Sequence, residues 1–235
     1  MNDWEEIAKQ EPYYGVSTSK EFLNTNLSEQ KVELFFTTGT TYVDSIIPYL
    51  KKSGVDFKSS VDYGCGVGRV LIPLSKIFEK SVGVDISQTM LDVCQKNLMV
   101  NNIKNSNLLL SDDFFHLSDK YSFIHCLHVL QHNSSDKGEI IIKKLINRLN
   151  SGGVIAIHFP YHFDFGFLKG LKFILFKSRL VRYIVSLIKK RPPMMMNRYS
   201  IDKVFTLLYE QGCSIELVIN QKESDVFSLI VYAKR

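Results

Sequence analysis

The chain has 235 residues, of which 45% are hydrophobic and 23% charged, with a formal net charge of +5. That is ordinary for a soluble globular protein and enough chain for one full core, and the acidic start Met1-Asn-Asp-Trp-Glu-Glu6 does not read as a secretory leader. Four cysteines, Cys65, Cys94, Cys126 and Cys213, show no paired spacing, so reduced thiols in a cytoplasmic protein are expected.

In chain order, residues 2–11 and 19–53 read as helices with short breaks, ending at Lys51-Lys-Ser-Gly54. A short apolar strand over 60–63 runs into the glycine turn Gly64-Cys-Gly-Val-Gly68, and a helix follows to Phe78. A second strand over 81–85 ends on Asp85. Ser87 then caps a helix whose Met90, Leu91, Cys94 and Leu98 recur at helical spacing. Strands at 107–110 and 122–127 come next. Ser135 opens a helix to Leu149, and the turn Asn150-Ser-Gly-Gly153 leads into a fifth strand, Val154–Phe159. Ser200 caps a last helix that stops at Gly212, and two apolar strands at 214–219 and 226–233 follow. Alternating strands and helices imply a Rossmann-like, doubly wound, mostly parallel seven-stranded α/β sheet. The connection 220–225 is too short for a crossover, so the final pair is antiparallel. One domain spans 1–235. It comprises an N-terminal helical segment at 1–55, an α/β core at 56–160, a basic amphipathic insert at 161–199, and a C-terminal helix and hairpin at 200–235.

The chemistry concentrates in Val61-Asp62-Tyr-Gly64-Cys65-Gly66-Val-Gly68-Arg69 and Val82-Gly-Val-Asp85. A dinucleotide loop places glycines at its first, third and sixth positions, but the sixth here is Arg69. Asp62, just before the turn, would repel a diphosphate and suits an ammonium group, while Asp85 is placed to accept from a ribose diol. An ammonium, a ribose and no phosphate describe S-adenosylmethionine.

On these residues the chain resembles the class I S-adenosylmethionine-dependent methyltransferases of small-molecule type. The likeness is clear over 30–160 and looser in the last two strands. It implies that Asp62 faces the methionine ammonium, that Gly64, Cys65, Gly66 and Gly68 form the loop under the ligand, that Asp85 takes the ribose and that Ile86 packs on adenine. Asp112 matches the position that bonds the adenine amino group, with Asp113 competing for it; Phe114 and Leu127 are neighbours expected to border the cofactor. Trp4, Pro12-Tyr-Tyr14 and Phe36-Thr-Thr-Gly39 resemble the family's N-terminal lid, which adds Tyr14 and Gly39 to the expected cofactor contacts. The resemblance places the loop after strand four beside the transferable methyl, so His128 and His132 are the candidate general bases for a hydroxyl acceptor. His125 is expected to point into strand packing, and His158 and His162 to reach the same cavity. Ser122 stands where the family usually has Asp.

Absences narrow the acceptor. Strand four is followed by no Asn/Asp-Pro-Pro-Tyr and no Pro-Cys occurs, so no nucleic-acid partner is expected; His and Cys lack metal-ligand spacing, so no metal is expected. The segment 165–198 carries nine Lys or Arg and no acid, more than the whole net charge. It reads as a solvated helical cap, a cover over an anionic or lipid-linked substrate, or an amphipathic contact of 165–191 with an anionic membrane surface. The three methionines Met194–Met196 suit a pocket rim or core filling. The leading reading is O-methylation of a sugar, nucleotide sugar or glycan-related metabolite. N-methylation of an amino sugar or amine, and a catalytically silent cofactor-binding subunit, are the alternatives. Oligomeric state is not legible.

Overall fold

The computed structural model describes residues 3–165, 175, 178, 194 and 196–235. Its strands are β1 (Ser59–Tyr63), β2 (Lys80–Asp85), β3 (Ser106–Leu110), β4 (Tyr121–Cys126), β5 (Leu149–Phe163), β6 (Ser214–Glu223) and β7 (Val226–Lys234). They form one sheet in the order β3-β2-β1-β4-β5-β7-β6. Pairing is parallel from β3 through β5, and β7 runs antiparallel to both β5 and β6. The order reverses between β1 and β4, and such a switch point opens a crevice at the carboxyl ends of the strands.

The described helices are α1 (Asp3–Gln10), α2 (Pro12–Val16), α3 (Glu29–Lys52), α4 (Leu71–Ile77), α5 (Gln88–Val100), α6 (Ser111–His116), α7 (Ser135–Ile146) and α8 (Ile201–Glu210). One core gathers the sheet face covered by α6, α7 and α8, around Phe114, Ile124, Leu145, Ile157 and Leu208. The other lies under α3 and α4, around Val43, Leu50, Leu74, Phe123 and Tyr232. The caps read from sequence are present: Ser87 Oγ accepts from the Met90 N–H at 3.1 Å and Ser200 Oγ from Lys203 at 3.4 Å.

Several boundaries move. Helix α4 begins at Leu71 rather than Gly68, because Gly68 has φ +92° and still belongs to the turn. A short helix not read from the sequence, α6, opens at Ser111 directly after β3. Strand β5 continues past Pro160 to Phe163, since beyond β4 its partner is β7, with a register shift between Pro160 and His162 that accommodates the missing N–H. Residues 161–163 are therefore sheet, not cap. The final hairpin closes at Ser224-Asp225, with Ser224 at φ +56°, so both strands run further than read. Most of the basic segment, including the expected cap helices, lies outside the described residues.

Candidate active site

The glycine loop is tied to the sheet by its backbone. The N–H groups of Gly64 and Cys65 both donate to the Val84 carbonyl, at 2.7 and 3.0 Å, and Gly68 donates to Cys65 at 2.9 Å. Gly64 and Gly66 hold φ of +82° and +53°, which side-chain-bearing residues rarely adopt. A Cβ on Gly64 would stand 2.1 Å from Val129 and one on Gly66 2.4 Å from Val16, so the turn is closed upon by the loop after β4 and by the lid. Asp85 ends β2 as a clamp: its Oδ2 accepts from the Gly66 N–H at 2.9 Å and its Oδ1 from Ser87 at 3.0 Å. Burial pushes the Asp85 carboxyl up, and these backbone donors oppose the shift.

The lid is anchored to the same corner. Glu5 of α1 accepts from Ser87 Oγ at 2.7 Å and from Thr89 Oγ1 at 2.6 Å, capping the start of α5. These hydrogen bonds, that to Thr89 first, hold its carboxyl below the usual range. Trp4, one residue earlier, meets the His132 ring edge-on at 4.7 Å between centroids.

Loop and lid enclose a cavity of about 970 Å³ at the switch point. Of the sequence-predicted residues, Asp62, Gly64, Cys65, Gly66, Asp85, Ile86, Asp112, Leu127, His128 and His132 border it. Ile86 is 57% exposed, an apolar face left open beside Asp85. Five others do not border it. Phe114 is wholly buried in the core, and its neighbour Phe115 forms the wall instead, because a helix turn sends successive side chains in different directions. Asp113 is exposed on α6 outside the wall, leaving Asp112 as the carboxylate there. Tyr14 lies off the wall, where Gly15 and Val16 stand. Gly39 serves packing, since a Cβ there would lie 1.9 Å from the Arg69 carbonyl oxygen. Gly68 faces Cys94 rather than the cavity.

The deeper half of the cavity is built by β4, β5, the hairpin and α3. His125 does not merely fill strand packing. Asp62 and His125 are register partners across the switch point, and His125 Nδ1 donates to Asp62 Oδ1 at 2.8 Å with both side chains buried. His128 sits at φ +59°, a strained setting for a residue with a side chain. Its ring lies 4.4 Å from that of His158. Burial first, then mutual repulsion among the histidines and Arg69, holds His128 well below its usual range, and burial brings His158 to about 4. Both are neutral at pH 7. His132 Nε2 lies 3.0 Å from Gln131 Nε2. His162 is exposed beside Phe227 and off the wall.

Sequence reasoning assigned no role to Tyr42, Arg69, Glu223 or Ser228, all on this wall. Arg69 was visible as the residue displacing the third glycine. The others carry no local signal, because α3 and the hairpin reach the site only through the fold. Met194 and Met196 also border the cavity, as a pocket rim would require. Among the described residues no His, Cys, Asp and Glu group could hold a metal ion.

This strand order, with a glycine loop after β1 and a carboxylate ending β2, is the Rossmann-like arrangement of a methyltransferase domain. Residues 61–153 match the family model described as a methyltransferase domain. Over that stretch, less than half of the chain, the sequence is similar to methyltransferase domains. It is 32% identical over 105 residues to magnesium-protoporphyrin O-methyltransferase of Synechocystis, covering 44% of this chain and 46% of that protein. It is 29% identical over 132 residues to an uncharacterized Rickettsia prowazekii protein, covering 51% of this chain and 53% of that one. The chain thus spans about half the length of the curated relatives it matches. Among solved structures, the Synechocystis magnesium protoporphyrin IX methyltransferase with bound S-adenosylmethionine superposes with a TM-score of 0.64 at 20% identity, over 100% of this chain and 98% of that one. A Clostridium acetobutylicum S-adenosylmethionine-dependent methyltransferase gives 0.61 at 16% identity, over 81% and 89%. At such identities the likeness speaks for the fold.

Proposed function

We propose that the protein is a methyltransferase that binds S-adenosylmethionine along the glycine loop and passes its methyl group to an oxygen of a small polar acceptor. One observation carries the reading: a single cavity joins the Asp85–Ile86–Asp112 corner, which fits an adenosine, to a chamber of histidines. The residues suit the cofactor: Asp85 is held in place by two backbone donors, Ile86 is open to an aromatic face, and the loop approaches without side chains. S-adenosylmethionine, when bound, supplies a sulfonium methyl open to in-line displacement. The chain must then hold the acceptor oxygen in line with that carbon. It must also take up the proton if the acceptor is a hydroxyl. His128 and His132 border the chamber and are the side chains proposed for the proton; the neutral state of His128 at pH 7 supports this.

The named Synechocystis relative acts on a porphyrin. Nothing in it supports the sugar or glycan acceptor read from sequence, which stands here only as one hydroxyl-bearing class. The nine positive charges of 165–198 support an anionic or lipid-linked group on the acceptor, or contact with an anionic membrane surface. No described helix is long and apolar enough to cross a membrane.

The test is direct. Titration calorimetry should show S-adenosylmethionine binding. Incubation with methyl-labelled cofactor and a panel of hydroxyl and carboxylate acceptors should release S-adenosylhomocysteine. Binding without release across the panel would favour the silent subunit, and no binding would overturn the reading.

A further inference from the structure

Asp62 and His125 face each other across the switch point as register partners on β1 and β4, and His125 Nδ1 lies 2.8 Å from Asp62 Oδ1. Both side chains are buried, and both residues border the cavity. A carboxylate only accepts hydrogen bonds, so the ring presents a proton at Nδ1. That holds for the neutral tautomer bearing Nδ1–H and for the imidazolium alike.

The consequence is geometric. The last torsion of an aspartate side chain has a broad profile and does not by itself hold the carboxylate at one angle. A donor on Oδ1 does, provided that the donor is itself fixed. The His125 ring is fixed by its strand and by aromatic packing, with the Tyr42 ring 5.4 Å away and the Phe123 ring 6.4 Å away. With Oδ1 held in this way, Oδ2 is the oxygen left to a ligand in the cavity. Asp62 stands two residues before the Gly64 turn, where the sequence puts the methionine ammonium, and an ammonium donating to a carboxylate makes a strong, charge-assisted hydrogen bond.

We propose that His125 is a positioning residue for the cofactor, holding the Asp62 carboxylate at the angle that meets the methionine ammonium. This rests on the methyltransferase reading and adds to it a residue of β4 that acts through Asp62. The role is separate from that of His128 and His132, which are proposed to act on the proton of the acceptor.

The experiment compares ligands that keep and lose the amine. S-adenosylhomocysteine carries the whole amino-acid end, its decarboxylated analogue keeps the amine alone, and 5′-methylthioadenosine has neither group. In His125→Leu, titration calorimetry should show the first two binding about tenfold more weakly, the low end for a hydrogen bond to a charged group, with 5′-methylthioadenosine unchanged. His125→Asn, whose amide N–H stands near the Nδ1 position, should recover most of the loss. If His125→Leu does not fold, His125→Gln takes its place, since its longer amide carries the donor past that position. An equal loss for all three ligands would reduce His125 to packing, and a loss confined to S-adenosylhomocysteine would move its effect to the carboxylate. Undiminished affinity for the amine-bearing ligands, or a loss that His125→Asn does not recover, would equally overturn the proposal. Wild-type protein keeps the two readings apart. Binding of S-adenosylhomocysteine there, with no effect of His125, removes only the positioning role, whereas no binding removes the methyltransferase reading.

Discussion

The two ends of the cavity are built on opposite principles. At the β1–β2 end the loop and the strand-end carboxylate are tied up within the protein: Asp85 accepts two backbone N–H groups, and Gly64 and Cys65 share the Val84 carbonyl. At the β4–β5 end, His125 and His158 each keep a buried nitrogen without a partner, and His128 sits in a strained backbone setting. The first end is preorganised for a ligand of fixed shape. The second holds buried polar groups under strain and without partners, a setting that recurs at functional sites.

The comparison breaks most sharply at the reaction. His128→Ala or His132→Ala, whichever removes the base, is expected to lower turnover about 10²–10⁴-fold while cofactor affinity by calorimetry stays unchanged. Near-full turnover in both variants would remove the histidines from proton transfer. At the other end, Asp85→Ala is expected to weaken cofactor binding by roughly 2–4 kcal/mol, the order of two hydrogen bonds to a charged group. It should also lower the melting temperature, because the Gly66 and Ser87 N–H groups lose their acceptor; unchanged affinity in a folded variant would contradict the clamp.

His158→Phe sharpens the contrast, since removing an unpaired nitrogen should leave the melting temperature at pH 7 equal or higher. The pH dependence has a definite sign. His158 is brought down to about 4 in the folded chain, while an unfolded histidine titrates near ~6.5. As pH falls between these values the unfolded chain takes up a proton that the folded one refuses, so stability is lost across that window. The loss is of the order of 3 kcal/mol for this one group. His128 shifts the same way, so His158→Phe should reduce the acid sensitivity seen in denaturant melts at pH 7 and pH 4.5, not abolish it. An identical slope would place His158 in water.

The smallest effect belongs to the lid. Glu5→Gln should cost about 1 kcal/mol through weaker capping of Ser87 and Thr89. Because the Glu5 carboxyl is held low, its contribution is present above the ordinary carboxylate range and lost as pH falls through the lowered value. Trp4 is the chain's single tryptophan and rests against His132, so its fluorescence reports the loosening. Unchanged emission in Glu5→Gln would separate latch from lid.

What the sequence determined is what local chemistry determines. Short apolar runs, helical spacing, serine caps and glycine turns mark six of the seven strands to within a few residues at their starts. The Asp62–glycine–Asp85 spacing marks the cofactor end, because a tight turn and a strand-end carboxylate are built from neighbours in the chain. The fifth strand is the exception at both ends. It runs from Leu149 through the expected turn and past Pro160 because its partners lie far away, on β4 and β7. Tertiary structure alone decided the β4–β5 end of the cavity. His125 looked like packing until parallel pairing laid it beside Asp62, 63 residues earlier. Phe115 replaced Phe114 on the wall through the rotation of a six-residue helix. Tyr42, Glu223 and Ser228 enter only because α3 and the final hairpin fold across the switch point. Residues brought together by register and crossover leave no spacing to read, whereas those joined by a turn do.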